Sequence, residues 1–535
     1  MNYRHFGVML DCSRNAVVKV EQVKRLIDLL VKMDYNCLQL YLEDTYEVAG
    51  EPYFGYMRGR YTVEEIREID SYAAQKGVEL IPCIQTLAHL PSPRKNAPYW
   101  GMFDINDILL CDDERTYEFI DRCFAAVAKA FTSRKVNIGM DEAHLLGSGK
   151  YMDKHGYTPR FEILTRHLAK VNELAQKYGF EPIMWSDMFF RPINNGGYYG
   201  RGLHIPKEVR EQIPENVALA YWDYYTQDSE TYDDMFTAHL ETNREIWFAG
   251  GAWTWCGFAP FNRFSLWSMK PAMESVRKYG IQDVIITMWG DHGGECSFFA
   301  ILPALYTIRQ YADGNFDEAK IKAGFEEIFG IAYDDFCALD LPNDTGNERW
   351  NGTGWCENPC KALLFQDPFQ GLWDKDLQNG TRVFSYRKHA QKLYTLSRQT
   401  GEYGYIFKAL SDLCYVMDIK AELGVKTREA YANKDKAALT ALAKDYAVCA
   451  LRVKAFHKSF YELWHKENKA FGWEVQDIRL GGLYRRLKTC QEMLLQYLSG
   501  ELACIEELEA ELLPSGRTDI VENVYSNLAT RGNLV

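Results

Sequence analysis

The sequence predicts an α/β fold, a (β/α)8 TIM barrel followed by an all-α C-terminal domain. Three observations carry that expectation: eight short apolar runs rich in β-formers lie in the first 312 residues, amphipathic stretches separate them, and the pattern turns wholly helical afterwards. Eight such units in about 310 residues is the repeat that a closed parallel barrel needs. A chain of 535 residues exceeds one compact core, so a barrel over 1–312 and a helical domain over 313–535 are expected.

In order, the runs are 6–10 (FGVML), 37–42 (CLQLYL), 78–84 (VELIPCI), 136–140 (VNIGM), 181–185 (EPIMW), 217–221 (VALAY), 245–249 (EIWFA) and 283–289 (DVIITMW). The stretches 20–33, 62–76, 115–131 and 160–178 place apolar residues three and four apart and read as helices between them. The fifth connection, interrupted by NNGGYYGRG, is the poorest. In this fold chemistry sits at the C-terminal strand ends. Those ends carry Asp11, Glu43 with Asp44, His89, Asp141 with Glu142, Asp187, Asp223, Trp253 with Trp255, and Asp291 with Glu295. Turn chemistry accounts for any single acid here. It does not account for Trp185, Trp222, Trp253 and Trp289 at four successive strand ends, a rim of aromatic faces and carboxylates that suits a sugar ring.

Composition narrows the partner. A net charge of −13, from 61 basic and 74 acidic residues, argues against a nucleic-acid surface. No apolar run approaches the roughly 20 residues of a membrane span. The N-terminus lacks the order of a secretory signal, and the 14 Cys lie scattered, many within apolar runs, as reduced buried thiols do. A cytoplasmic protein with a neutral small-molecule partner is expected. Cys356 and Cys360 in CENPC have no matching second pair and read as loop thiols rather than zinc ligands. MDEAH spells a helicase box and LGSGKY part of a phosphate loop, but His144 and Tyr151 stand where that loop needs Gly and Ser or Thr. No cofactor or metal is implied.

In VNIGMDEAHLLGSGKY a barrel strand ends in Gly, one residue, then Asp-Glu, which resembles the signature of glycoside hydrolase family 20, the β-N-acetylhexosaminidases. FGVMLDCSRN, IPCIQTLAHL, IMWSD and TMWGD resemble that family's first, third, fifth and eighth strands, in order, over residues 1 to 312. Ordinary retaining glycosidases hold two carboxyls about 5 Å apart across the scissile bond. Neighbours at one strand end approach the sugar from one side, so Asp141 and Glu142 cannot easily serve as opposed acid and nucleophile. The resemblance implies substrate assistance: the 2-acetamido oxygen attacks C1, Asp141 orients that group, and Glu142 is general acid and then base. Terminal β-GlcNAc or β-GalNAc on a glycan or glycoconjugate is the implied substrate.

Trp185, Trp222, Trp253 and Trp289 would enclose the acetamido group and ring, His89 matches the family's pocket His, and Asp291 with Glu295 would bind hydroxyls. Tyr224, Tyr225 or Trp253 would donate to the acetamido oxygen, and the sequence leaves that choice open. Phe6 replaces a substrate-binding Arg of the family, so weak discrimination between C4 epimers is expected. Asn137, Met140 and Trp253 are further departures, and the family's common N-terminal α/β domain does not precede the barrel, as in a divergent branch. Two alternatives stand: a β-glycosidase with Asp291 or Glu295 as nucleophile, and a non-catalytic carbohydrate-binding protein. Beyond 313, stretches 403–425 and 449–471 read as long helices that brace the barrel or form a homodimer. Gly481 and Gly482 in FGWEVQDIRLGGLYRR read as a break, a loop able to reach over a barrel mouth.

Overall fold

The computed structural model describes residues 2–344, 359–375, 384–515, 522 and 524–534. Cys356 of the CENPC segment lies outside the described residues. Eight parallel strands close into a barrel: β1 (His5–Asp11), β2 (Cys37–Tyr41), β3 (Glu79–Cys83), β4 (Lys135–Asn137), β5 (Glu181–Trp185), β6 (Ala218–Trp222), β7 (Ile246–Gly251) and β8 (Asp283–Met288). Closure is in register, with His5 opposite Asp283 and Leu10 opposite Met288. Strand β4 is shorter than its apolar run because Gly139 and Met140 adopt φ of +70° and +71° and turn the chain out of strand geometry.

Helices α1 (Val20–Lys32), α2 (Val63–Gln75), α3 (Glu114–Ala130) and α4 (Arg160–Lys177) follow the first four strands. Local chemistry sets their starts: Thr62 and Glu65 form a reciprocal capping box on α2, and the Asp113 carboxylate caps α3. In α1 the buried Val23, Leu26, Ile27 and Leu30 make one stripe against the sheet. Only short helical turns, Asp187–Phe190, Arg191–Ile193 and Lys207–Arg210, connect β5 to β6. As its poor periodicity predicts, this connection is a long loop broken only by those turns. Helices α5 (Ser229–Leu240), α6 (Asn262–Tyr279) and α7 (Leu302–Asp313) complete the ring. Inside the barrel, Met9, Tyr41, Ile81, Trp185, Trp247 and Ile285 form a core distinct from the layer between sheet and helices.

The C-terminal region contains α8 (Glu318–Phe329), α9 (Tyr386–Ser397), α10 (Gly404–Ala432), α11 (Lys436–Glu467) and α12 (Trp473–Ser499). The expected break at Gly481 and Gly482 is corrected, since α12 runs straight through both. A Cβ at Gly481 would meet nothing within 4 Å, so these glycines lie on the open face. The opposite face buries Trp473, Gln476, Leu480, Leu483 and Leu487 at helical spacing, and that packing overrides a propensity cost of about 1 kcal/mol per Gly. No described helix is long and apolar enough to cross a membrane.

At the N-terminal end of the barrel His5 stacks on Trp247 and bonds Asp283 through Nδ1 (2.7 Å) and Glu79 through Nε2 (3.0 Å). Burial lowers the imidazole pKa, but the two carboxylates outweigh it and lift the value to about 8. The folded-state value therefore lies above the unfolded one of about 6.5. The stabilisation is complete below about pH 6.5 and is lost as pH rises through about 8. Replacing His5 by Gln should thus cost about 2 kcal/mol near pH 6 and much less near pH 9. A stability gap in urea unfolding that stays constant over this range would reduce His5 to a packing residue.

Candidate active site

The C-terminal strand ends surround an open pocket. Of the sequence-predicted residues, His89, Asp141, Glu142, Trp185, Trp222, Tyr225, Trp289 and Asp291 line it.

Asp141 is buried. Its Oδ1 accepts from Gln85 Nε2 at 3.0 Å and its Oδ2 lies 3.2 Å from His89 Nε2. Burial raises its pKa, but the His89 cation and the bonds from His89 and Gln85 outweigh this and hold the carboxyl below its ordinary value. His89 answers in kind: burial lowers its pKa, Asp141 raises it, and the result is about 9. Glu142 is more open to solvent. Burial and the charge of Asp141 beside it raise its carboxyl above the ordinary value. Two adjacent carboxyls are thus driven apart, one toward the anion and one toward the acid, as acid/base assignments require.

Backbone geometry makes this arrangement. Gly139, Met140 and Glu142 all have positive φ, a conformation that persists where surroundings over-determine it. A Cβ at Gly139 would sit 2.0 Å from Gln85 Oε1, so the strand must end in glycine for Gln85 to reach Asp141. The Glu142 N–H donates to Asp187 Oδ2 at 3.2 Å, the same oxygen that accepts Arg191 Nε at 2.9 Å. Arg191 Nη2 then lies 3.6 Å from Glu142 Oε1. Burial first, and the nearby Asp141 charge next, raise Asp187 to about 6.

The aromatic wall differs from the expected one in one member. Trp253 stands behind the pocket, stacked at 4.3 Å on Trp255, and its Nε1 donates to Tyr224 O at 3.0 Å. Trp255 is the lining residue. With its N–H committed, Trp253 is not a donor to a ligand, whereas Tyr224 and Tyr225 both face the pocket. Buried Trp185 Nε1 and Trp222 Nε1 find no hydrogen-bond partner among the described residues, so each is a donor that a polar ligand atom would satisfy.

Glu295 is the second correction. Its oxygens are taken by Lys361 Nζ (2.7 Å) and Arg479 Nη1 (2.8 Å), with its side chain almost fully buried. It does not line the pocket, and so cannot act there as a nucleophile or hydroxyl ligand. Asp291 does line it, with burial lifting its carboxyl to about 6 against the lowering charge of Arg14.

The expected role of Phe6 is also corrected. Its ring packs between Tyr3 and Tyr35 in the layer facing the helices, so position 6 cannot touch a ligand. Arg14, from the loop after β1, supplies the pocket's guanidinium, held by Glu43 Oε1 at 3.1 Å. That removes the ground for expecting weak C4 discrimination.

Among the other strand-end acids, Asp11 accepts from Ser13 and from Gly290 N, and Asp223 accepts from Tyr225 N, Thr226 N and Tyr221. Both tie loops. Sequence reasoning missed Gln85, Tyr41 and Arg191; only Gln85 left a signal, as an amide closing an apolar strand. Among the described residues no group of three or more His, Cys, Asp or Glu is placed to hold a metal ion.

Residues 3–236 match the profile of the glycosyl hydrolase family 20 catalytic domain, and residues 334–524 that of the glycoside hydrolase 20C C-terminal domain. A β-hexosaminidase of Vibrio furnissii is 26% identical over 306 residues, covering 49% of this chain and 48% of that protein. The chain thus spans about half the length of that relative. Hexosaminidase D of Homo sapiens is 20% identical over 346 residues, 60% of this chain and 68% of that one. A solved exo-β-N-acetylglucosaminidase of Vibrio harveyi, in complex with N-acetylglucosamine, aligns at a TM-score of 0.48 and 18% identity over 63% of this chain and 58% of its own.

Proposed function

The chain belongs to glycoside hydrolase family 20, and from that premise we propose a retaining, exo-acting β-N-acetylhexosaminidase that removes terminal β-GlcNAc or β-GalNAc from glycans or glycoconjugates. One observation carries the reading: adjacent Asp141 and Glu142 share one wall of an aromatic pocket while their surroundings favour opposite protonation states. The β-hexosaminidase names of the relatives support the same substrate class.

In this mechanism Glu142 gives its proton to the glycosidic oxygen as the bond to C1 breaks. The acetamido oxygen of the substrate forms the new bond to C1, giving an oxazolinium ion and retaining configuration after two inversions. Asp141, held by Gln85 and His89, accepts the acetamido N–H and stabilises the positive charge as it develops. Glu142 then takes a proton from the water that opens the ring. Trp185, Trp222, Trp255 and Trp289 exclude other water from the intermediate, and Arg14 with Asp291 binds hydroxyls of the ring. We assign this chemistry to a barrel of residues 1–312, with 313–535 as a separate helical domain. Ten of the thirteen described cysteines are buried, which supports a reducing, cytoplasmic setting.

Aryl β-GlcNAc, β-GalNAc, β-glucosaminide and β-glucoside test the reading together. Only the two N-acetylated substrates should turn over, at least about a hundredfold faster than the others, since an amine or hydroxyl at C2 cannot close the ring. Rapid cleavage of the β-glucoside would instead favour Asp291 as a protein nucleophile. Turnover of none would leave a carbohydrate-binding protein.

A further inference from the structure

The 471–486 segment, expected to reach over a barrel mouth or simply to link two helices, lies in α12 and the turn before it. The structure puts that segment against one loop of the pocket. The loop after β8, residues 290–295, carries Asp291 into the pocket and ends on Glu295. Cations from two separate parts of the C-terminal region grip Glu295: Lys361, from the helix Pro359–Phe365, holds Oε2, and Arg479 of α12 holds Oε1. Arg479 Nη1 also donates to His292 O at 2.8 Å, and Gln476 Nε2 to Gly293 O at 3.3 Å.

Three features connect this grip to the pocket. The loop is closely packed on both sides, since a Cβ at Gly293 would lie 2.8 Å from Arg479 Nη1 and one at Gly294 would lie 2.7 Å from Arg14 O. The loop is therefore sandwiched between α12 and the backbone that presents Arg14. Asp291 has a φ of +28°, a strained value for a non-glycine residue that neighbouring contacts must impose. Lys361 also abuts the loop that follows Trp255, with its Cβ 3.1 Å from where a Cβ at Gly257 would stand.

The same region pins the loop after β1. Val18 pairs with Asn468, Lys469 N donates to Val17 O, and a Cβ at Gly472 would clash with Asn15 O at 2.3 Å. Both loops of the Arg14 and Asp291 wall are thus fixed by residues outside the barrel, whereas among the described residues Asp141 and Glu142 are held by barrel residues.

We propose that Lys361 and Arg479 are positioning residues for substrate recognition: by holding both oxygens of Glu295 they fix the 290–295 loop and place the Asp291 carboxylate where it binds hydroxyls of the sugar. This rests on the hexosaminidase reading above. The barrel alone then supplies the chemistry, and the helical domain completes the sugar-binding wall.

Arg479→Met tests it, because Lys361 keeps Glu295 paired and the fold is retained. On aryl β-GlcNAc the change should raise KM about tenfold and leave kcat within about threefold, since the interaction lost is made equally in ground and transition states. Arg479→Lys should recover most of the loss. In an Asp291→Ala background Arg479→Met should add less than twofold in kcat/KM, because the two act through one contact. Fluorescence titration with N-acetylglucosamine should follow the same non-additive pattern. Because a broken buried pair can unfold the chain, Glu295→Leu combined with Lys361→Met and Arg479→Met serves as a second variant without an orphaned charge, and it should show the same KM effect. Full additivity with Asp291→Ala, or a fall in kcat at unchanged KM, would overturn the positioning role. A wild-type chain that hydrolyses no N-acetylhexosaminide would overturn the hexosaminidase reading instead, and titration with unchanged sugar affinity in the variants would still sink the inference.

Discussion

Asp141→Asn is expected to lower kcat on aryl β-GlcNAc by about 10²–10³-fold, or about 3–4 kcal/mol of transition-state stabilisation, with KM nearly unchanged. The carboxylate is buried and ionised, and its anion matters chiefly as positive charge grows on the closing oxazoline ring. Asn keeps the size and the contact with Gln85 but removes that charge. Two further readouts follow from the neighbours. The pKa of His89, now about 9, should fall once its anionic partner is gone. Asp141 is also the charge that, after burial, raises Glu142, so the alkaline limb of the pH–rate profile should move toward lower pH in the variant. A thiazoline mimic of the intermediate should inhibit the wild type tightly and the variant poorly. Wild-type turnover by Asp141→Asn, or equal inhibition of both, would exclude substrate assistance through this residue.

Glu142→Gln should separate substrates by leaving group. Alkyl or sugar leaving groups need a proton as the bond breaks, and their hydrolysis should fall by about 10²–10⁴-fold. Strongly acidic aryl leaving groups need little protonation and should lose far less. In the wild type the rate should decline on the alkaline side at a pH above the ordinary carboxylate range, because burial and Asp141 raise the group that must stay protonated. That limb should vanish in the variant. Equal losses across leaving groups would remove Glu142 from the acid role and turn attention to His89, whose Nε2 lies 3.7 Å from the Glu142 carboxyl.

Much of this was legible along the chain. The eight barrel strands, the helices between them and the weak fifth connection follow from hydrophobic periodicity, a local property that a single sequence states openly. The place of Asp141 and Glu142 at the pocket was legible as well, because the glycine that lets Gln85 approach and the two carboxyls lie within four residues of one motif. Tertiary structure decided what depends on approach between distant segments. Whether Trp253 or Trp255 meets the ligand turns on how one loop folds after β7. Whether an acid after a strand ties a loop, as Asp11 and Asp223 do, or faces the pocket, as Asp291 does, turns on which donors come near. Glu295 looked like a pocket acid from its place after β8 and became the centre of a buried three-membered ion cluster, because Lys361 and Arg479 arrive from 66 and 184 residues away. Gly481 and Gly482 looked like a break because propensity is local, while the packing that keeps α12 helical is not. Periodicity and motif are written between near neighbours. The partner that sets a side chain's charge, direction and role is found only once the chain has closed on itself.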